Sequence, residues 1–444
     1  MPGGIWTSQN KVLPGVYIRF KTGTALGLTV GDRGVVTICE PMSWGPVAQV
    51  TPVTLTTDVT PITGYDITAP QNRFLQEMFK GTNRTSAPTT ILLYRPTASG
   101  SAQAKVTTGE LTATAVYPGA RGNDISLIIT ELTEPESTFT VSTVVDGAIV
   151  DQQTAAQISE LVANDWVTFS GTGALAATTG AALTGGADGT VQSAAYSAYL
   201  TAIEPYKFDI MVYDGSDSTV QTALLSFIER VNENNGQYCQ LVASGLSNPD
   251  SRYVININSP VTLSDGTELT PQQVTWWAGG ASAGALYNQS LTYAQYPGAV
   301  STTMQTVDQF TQAVQAGNFV LFAENGVVKV MQDINSLTTY TEDIGQVYSK
   351  NRVMRLCNTI ANDIFQQFSE SFIGVVNNNE QGRARFQAAI VGYLQEIQDN
   401  QGIQNFTSDD VEVLAGSAID AIVVNVAIQA VDSVEKIYMT IEVS

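Results

Sequence analysis

Asp409 and Asp410 stand side by side, and a pair of carboxylates is the equipment of glycoside-type acid and base chemistry. Adjacent residues on a helix do not face each other, so the two would not converge on one substrate. Ser408 before them fits a helix N-cap, with the acids in the first turn, where the dipole favours negative charge. Cys39, Cys239 and Cys357 lie far apart in apolar stretches. That spacing gives neither a disulfide framework nor a Cys-x-x-Cys metal site, and it fits buried thiols in a reducing compartment. The loop YPGARGND (117–124) lacks the Lys-Ser/Thr end of a phosphate loop and reads as a tight connection beside a strand. GGASAG (279–284) closes a helix, whereas a dinucleotide fingerprint opens one. LTGGADGT (183–190) offers one carboxylate, against the roughly six to eight oxygens that calcium takes. The chain contains no histidine. Ser-His-Asp and Cys-His nucleophilic chemistry and every His-ligated metal site go with it. The expectation is a protein that is not an enzyme, with no catalytic, cofactor-binding or metal residues and no cofactor, whose function lies in its surfaces.

Composition points the same way. The chain has 444 residues, a formal net charge of −21 and only 14 % charged residues, against about 25 % in ordinary soluble domains. Such length suggests about three domains, and the uncharged polar surface suits protein contact. The charge disfavours wrapping nucleic acid or lying on an anionic membrane. No apolar run is long enough for a transmembrane helix, and MPGGIWTSQNK lacks a secretory signal pattern.

The elements fall into five stretches. Residues 1–21 form an N-terminal arm in which Val16, Ile18 and Phe20 alternate with Tyr17, Arg19 and Lys21. Residues 22–96 begin an α/β unit: strands at RGVVTIC and TTILLYR flank a helix at NRFLQEMFKG that Gly81 ends. Residues 97–187 read as an inserted β-rich module with a hairpin at Asp146-Gly147 and a short helix at TAAQISELVAN (154–164). Residues 188–345 alternate helix and strand. They include a helix capped by Thr270 with Pro271 at its first position and a hairpin at Asn325-Gly326. Residues 346–444 carry two long helices, with Val353, Leu356, Ile360, Ile364 and Phe368 on one face of the first. A strand with Val424, Val426 and Ile428 on one side follows, then a turn at Asp432-Ser433 and a last strand, KIYMTIEV.

That last strand alternates strictly: Ile437, Met439, Ile441 and Val443 are apolar, and the residues between them are polar or amphipathic. Both ends of the chain therefore carry strands that nothing blunts, and an unpaired edge is a template for another chain. Residues 1–21 carry +3 from side chains and residues 406–444 carry −6, so the two ends suit a head-to-tail contact. Such a contact is heterologous and builds rings or helical arrays. The competing reading is that both strands complete the protein's own sheet.

Several stretches resemble the tail sheath proteins of contractile bacteriophages, of the type found in Gram-positive hosts and their prophages. They are LPGVYIRF, YPGARGNDISLII, LTGGADGT, WWAGGASAGALYNQSLTYAQYPGA, NRVMRLCNTIANDI, FIGVVNNNEQGRARFQAAIVGYL and VDSVEKIYMTIEV, in order along nearly the whole chain. The resemblance implies an α/β multidomain protein. Its main domain would be subtilisin-like without a protease site, in 22–96 and 188–345. A β-sandwich-like outer domain would be inserted at 97–187, an α+β C-terminal domain would occupy 346–444, and strand-forming arms would lie at both ends. It implies inter-subunit strand contacts through Val16, Ile18, Phe20, Val424, Val426, Ile428, Ile437, Met439, Ile441 and Val443. It also implies a structural subunit that polymerises as stacked hexameric rings around a tail tube and contracts to drive the tube through the host envelope. The implied partners are neighbouring sheath subunits, the tail tube protein, the baseplate and the tail terminator, with no nucleic acid and no direct membrane binding. The implied place is the virion tail, assembled in the host bacterial cytoplasm. A non-contractile tube or baseplate protein and a hydrolase on a subtilisin-like fold are the competing readings.

Overall fold

The computed structural model describes residues 3–4, 16–17, 30–31, 33–134 and 137–442. The chain divides into two compact units, Gly31–Asn362 with Ala430–Ser444, and Met1–Val30 with Asp363–Gln429.

The larger unit is built on a seven-stranded sheet. Its strands are β1 (Val35–Cys39), β2 (Val50–Val53), β3 (Thr90–Tyr94) and, after the inserted module, four more. Helix α1 (Arg73–Met78) lies between β2 and β3. The module contributes β4 (Lys105–Thr108), β5 (Leu111–Ala115), β6 (Ile125–Glu131), β7 (Phe139–Val145), β8 (Ala148–Ala155), β9 (Val167–Ser170) and β10 (Thr178–Ala182). Then come α2 (Ser193–Ile203), β11 (Ile210–Val212), α3 (Ser218–Glu233), β12 (Gln240–Ser244), β13 (Val254–Ile257), α4 (Pro271–Gly284) and β14 (Asn318–Phe319). The strand order is β14-β13-β12-β11-β1-β3-β2. All pairs are parallel except β2 with β3. The edge strand β2 carries Pro52, which an edge tolerates because one side needs no ladder donor.

Alternation along the strands feeds two cores. Val36, Ile38, Ile91, Leu93, Ile210 and Val212 face α1 and α4, where Phe74, Leu75, Met78 and Trp277 cover them. Cys39, Leu92, Tyr94, Met211 and Leu241 face α2 and α3, where Tyr199, Leu224, Phe227 and Ile228 close the other side. Three buried layers result, as parallel sheets require. Helix α4 explains GGASAG. A Cβ on Gly280 would stand 2.0 Å from the Met78 carbonyl oxygen, and one on Gly284 would stand 2.1 Å from that of Ser86. The glycines let the helix backbone touch its neighbours. The helix starts in a capping box of Thr270 and Gln273 with Pro271 at its first turn.

The inserted module packs a four-stranded sheet, β8-β7-β6-β10, and a three-stranded one, β9-β5-β4, around Leu127, Ile129, Val141, Trp166 and Val167. The β7–β8 turn is the two residues Asp146 and Gly147, both at positive φ. Arg121, buried, ties the module to the sheet domain. Its Nε donates to the Gly64 carbonyl at 2.8 Å, and its Nη atoms reach Asp146 at 2.6 Å and Asp124 at 3.0 Å. The helix expected at 154–164 is absent: β8 runs to Ala155, pairing with Phe139, and only a 3₁₀ turn at Ile158–Glu160 follows. The ladder overrides the helical preference of Ala, Gln and Glu there.

A hairpin of β15 (Leu321–Glu324) and β16 (Val327–Val330) turns at Asn325-Gly326. Helix α5 (Asn351–Ser371) begins in the larger unit. There Arg355, fully buried, pairs with Asp333 at 2.5 Å, and Asp333 also accepts from Leu291 N and Asn351 Nδ2. In the smaller unit, α6 (Glu380–Asp399) buries Phe386, Ile390, Tyr393, Leu394 and Ile397, and the antiparallel pair β17 (Val411–Ala415) and β18 (Ile422–Val426) follows.

The subtilisin-like architecture expected of the main domain is not what forms. Mixed sheets, a sandwich and paired helices make up the chain, and that label came from the family resemblance rather than from any residue pattern. The cap at Asp409-Asp410 also shifts: Thr407 caps a 3₁₀ turn, Ser408–Asp410, rather than Ser408 capping an α-helix.

Candidate assembly interface and the switch-point crevice

Ligands of open α/β sheets sit at the carboxyl ends of the strands where the strand order reverses. Here the reversal lies between β1 and β11, since β3 follows on one side and β12, β13 and β14 on the other. Glu40 and Asp214 stand just past those two strand ends. Asp214 accepts from Trp276 Nε1 at 2.9 Å. Burial pushes the Glu40 carboxyl well up, and the neighbouring Asp214 pushes it further; burial also raises Asp214. The two carboxyls thus sit side by side in a buried place that disfavours the charged form of Glu40. A cavity of about 340 Å³ adjoins Glu40, with Asn72 and Arg95 among its lining residues. Arg95 is committed elsewhere, to the Gly45 carbonyl at 2.8 Å and the Pro118 carbonyl at 2.7 Å. Among the described residues no group of three or more His, Cys, Asp or Glu side chains could hold a metal ion, and no helix is long and apolar enough to cross a membrane. Cys39 and Cys239 are buried and Cys357 partly so, all as free thiols raised by burial.

Seven of the ten residues expected to make strand contacts lie among the described residues, and of these only Val424 and Val426 share a strand. Val16 lies in a two-residue strand, Val16–Tyr17, parallel to Gly3–Gly4. Ile18, Phe20 and Val443 lie outside the described residues. Val424 and Val426 sit on β18, opposite Val413 and Val411 of β17. Val426 and Ile428 are exposed, Val424 partly so. The expected hairpin through Asp432-Ser433 does not form: β18 pairs with β17, and no strand follows the turn among the described residues. Ile437, Met439 and Ile441 are 78 %, 75 % and 76 % exposed, and residues 431–442 carry no strand assignment. Alternation fixes which side chains share a face, but a strand also needs an edge to pair with.

The exposed segment has a firm root. Glu435 accepts from Gln332 Nε2 at 2.6 Å, from Thr292 Oγ1 at 2.8 Å and from Lys350 Nζ. Burial alone would raise its carboxyl; the three donors outweigh that and hold it below the usual range. Lys350 also lies 3.9 Å from Asp432. Sequence reading missed Glu40, Asp214 and Glu435. Their partners come from distant stretches, and no local spacing marks them.

Comparison with known proteins converges on one kind of protein. The model of the phage tail sheath protein beta-sandwich domain matches residues 98–188, that of the phage tail sheath protein central domain residues 189–336, and that of the phage tail sheath C-terminal domain residues 343–444. The phage-like element PBSX protein XkdK of Bacillus subtilis is 32 % identical, with 100 % of each chain covered. The crystal structure of a sheath tail protein from Desulfitobacterium hafniense has a TM-score of 0.86 at 40 % identity, covering 96 % of this chain and 99 % of its own. That of a sheath tail protein from Listeria innocua has a TM-score of 0.79 at 30 % identity, covering 94 % and 96 %. These likenesses overturn the subtilisin-like expectation: the architecture is that of the solved sheath tail proteins, not of a protease.

Proposed function

The chain belongs to the phage tail sheath protein family, and from that premise we propose how its surfaces build the polymer. It is a structural subunit of a contractile phage tail sheath rather than an enzyme. Subunits join by strand addition into stacked six-membered rings that surround the tail tube, with the baseplate and a terminator at the ends. The sandwich of 97–187 faces outward, the domain of 346–444 faces the tube, and assembly takes place in the host cytoplasm. Val424, Val426, Ile428, Ile437, Met439, Ile441 and Val443 add to a neighbour's sheet, as do Val16, Ile18 and Phe20. Contraction is a rigid-body change between two packings of the same subunits, and the donated strands keep neighbours linked while it proceeds.

One observation carries this reading. Ile437, Met439 and Ile441 stand apolar and exposed on an alternating segment with no ladder. A free subunit rarely exposes such a row unless something covers it in the assembly. Deleting 436–444 tests it. The truncated subunit is expected to fold and stay monomeric, with no striated tubes by electron microscopy; normal tubes would sink strand addition by this segment.

A further inference from the structure

The root of the exposed segment is more elaborate than a chain end needs. Three donors meet on the Glu435 carboxylate, and they come from three separate places: the loop after α4, the second residue past β16 and the residue before α5. The Thr292 hydroxyl is oriented by its other bond. It accepts from Asp333 N at 2.9 Å, so its own proton points to Glu435. Asp333 is in turn the buried partner of Arg355. Glu435 is thus tied through one hydroxyl to the ion pair that seats α5. On either side the side chains are exposed: Val434 is 82 %, Ile437 78 % and Tyr438 90 % open to solvent.

We propose that Glu435 is the positioning residue of the donated arm: held by Lys350, Gln332 and Thr292, it fixes where the free segment begins, and so its reach and its register on a neighbouring subunit. The proposal rests on the strand-addition reading. An extended residue spans about 3.3 Å, so each residue released at the root lengthens the tether by that much. A slip of one residue would turn Ile437, Met439 and Ile441 from the apolar face of the joint sheet to the other. A fixed root removes both freedoms before the neighbour arrives, which lowers the ordering cost of association.

The test separates the root from the arm. Thermolysin cuts before apolar residues, so cleavage before Val434 reports release of the root, and cleavage before Ile441 serves as an internal control. In Glu435→Ala, cleavage before Val434 is expected to rise about tenfold relative to the control, the loss of at least one charge-assisted bond. Glu435→Gln is expected to fall between, and Lys350→Gln should reproduce the effect from the other side if Glu435→Ala folds poorly. Tubes from Glu435→Ala should be fewer and irregular in striation, whereas deletion of 436–444 gives none. An unchanged cleavage ratio overturns the proposal. So does a raised ratio with tubes of wild-type yield and spacing. Normal tubes from the deletion, by contrast, overturn strand addition itself.

Discussion

Strand β11 and the segment after Glu435 are made of the same kind of residue. Ile210, Met211 and Val212 are at most 2 % exposed, with β12 on one side and β1 on the other. Ile437, Met439 and Ile441 are as apolar, yet about three-quarters exposed and without a ladder. The difference is therefore not in hydrophobicity but in available edges. Inside the unit every central strand has two neighbours; the last segment has none within its own chain that the described residues supply. The core strand obtains its stability from folding; on the strand-addition proposal the end segment obtains its own from association.

The sharpest way to break that comparison is to remove one region at a time. Deleting 436–444 should abolish tube formation and leave the thermal midpoint of the free subunit unchanged. A large fall in that midpoint would mean that the segment belongs to the subunit's own core. The next largest effect lies in the sheet. Ile210→Ala should cost about 2–5 kcal/mol in urea denaturation, whereas Ile437→Ala should stay within about 0.5 kcal/mol. Equal costs would erase the distinction.

What was legible in the sequence follows the same line. Local signals placed the hairpin turns at Asp146-Gly147 and Asn325-Gly326 and the cap at Thr270, because each is decided within a few residues. The alternation of 436–443 names a face but not a partner, since pairing is not a local property. At 154–164 local propensity pointed to a helix, and the ladder of Thr154 and Ala155 with β7 prevailed. The Glu40–Asp214 contact needed the strand order, which brings β1 beside β11 across the whole inserted module. Glu435 needed three donors from far upstream. The glycines of GGASAG marked a close approach, but which backbones they meet is visible only in the fold.

A finer cut distinguishes the two faces of the end segment. Burying an isoleucine against a neighbour is worth about 1.5–3 kcal/mol. Ile441→Lys should therefore raise the concentration needed for tubes by roughly ten- to a hundredfold. Thr440→Lys, one residue away on the opposite face, should change it little. Light scattering against concentration measures both, and equal effects would refute the register.

The smallest expected effect sets two carboxyls against each other, one in each region. Glu40 has its pKa raised by burial and by Asp214; Glu435 has its pKa lowered, burial being outweighed by Lys350, Gln332 and Thr292. Linkage gives them opposite signs. The contribution of Glu40 is fully present below the ordinary carboxylate range and is lost as pH rises through its raised value, when two buried charges would face each other. The contribution of Glu435 is present above that range and is lost as pH falls through its lowered value. Glu40→Gln keeps the shape and the donor without the titration. It should match wild type in urea near pH 4 and become the more stable of the two as pH climbs above the ordinary carboxylate range. Glu435→Gln should lie below wild type at neutral pH and converge with it in acid, and there the gap should appear at the root rather than in global unfolding. If Glu40→Gln follows the wild-type pH profile throughout, burial beside Asp214 does not raise the Glu40 carboxyl.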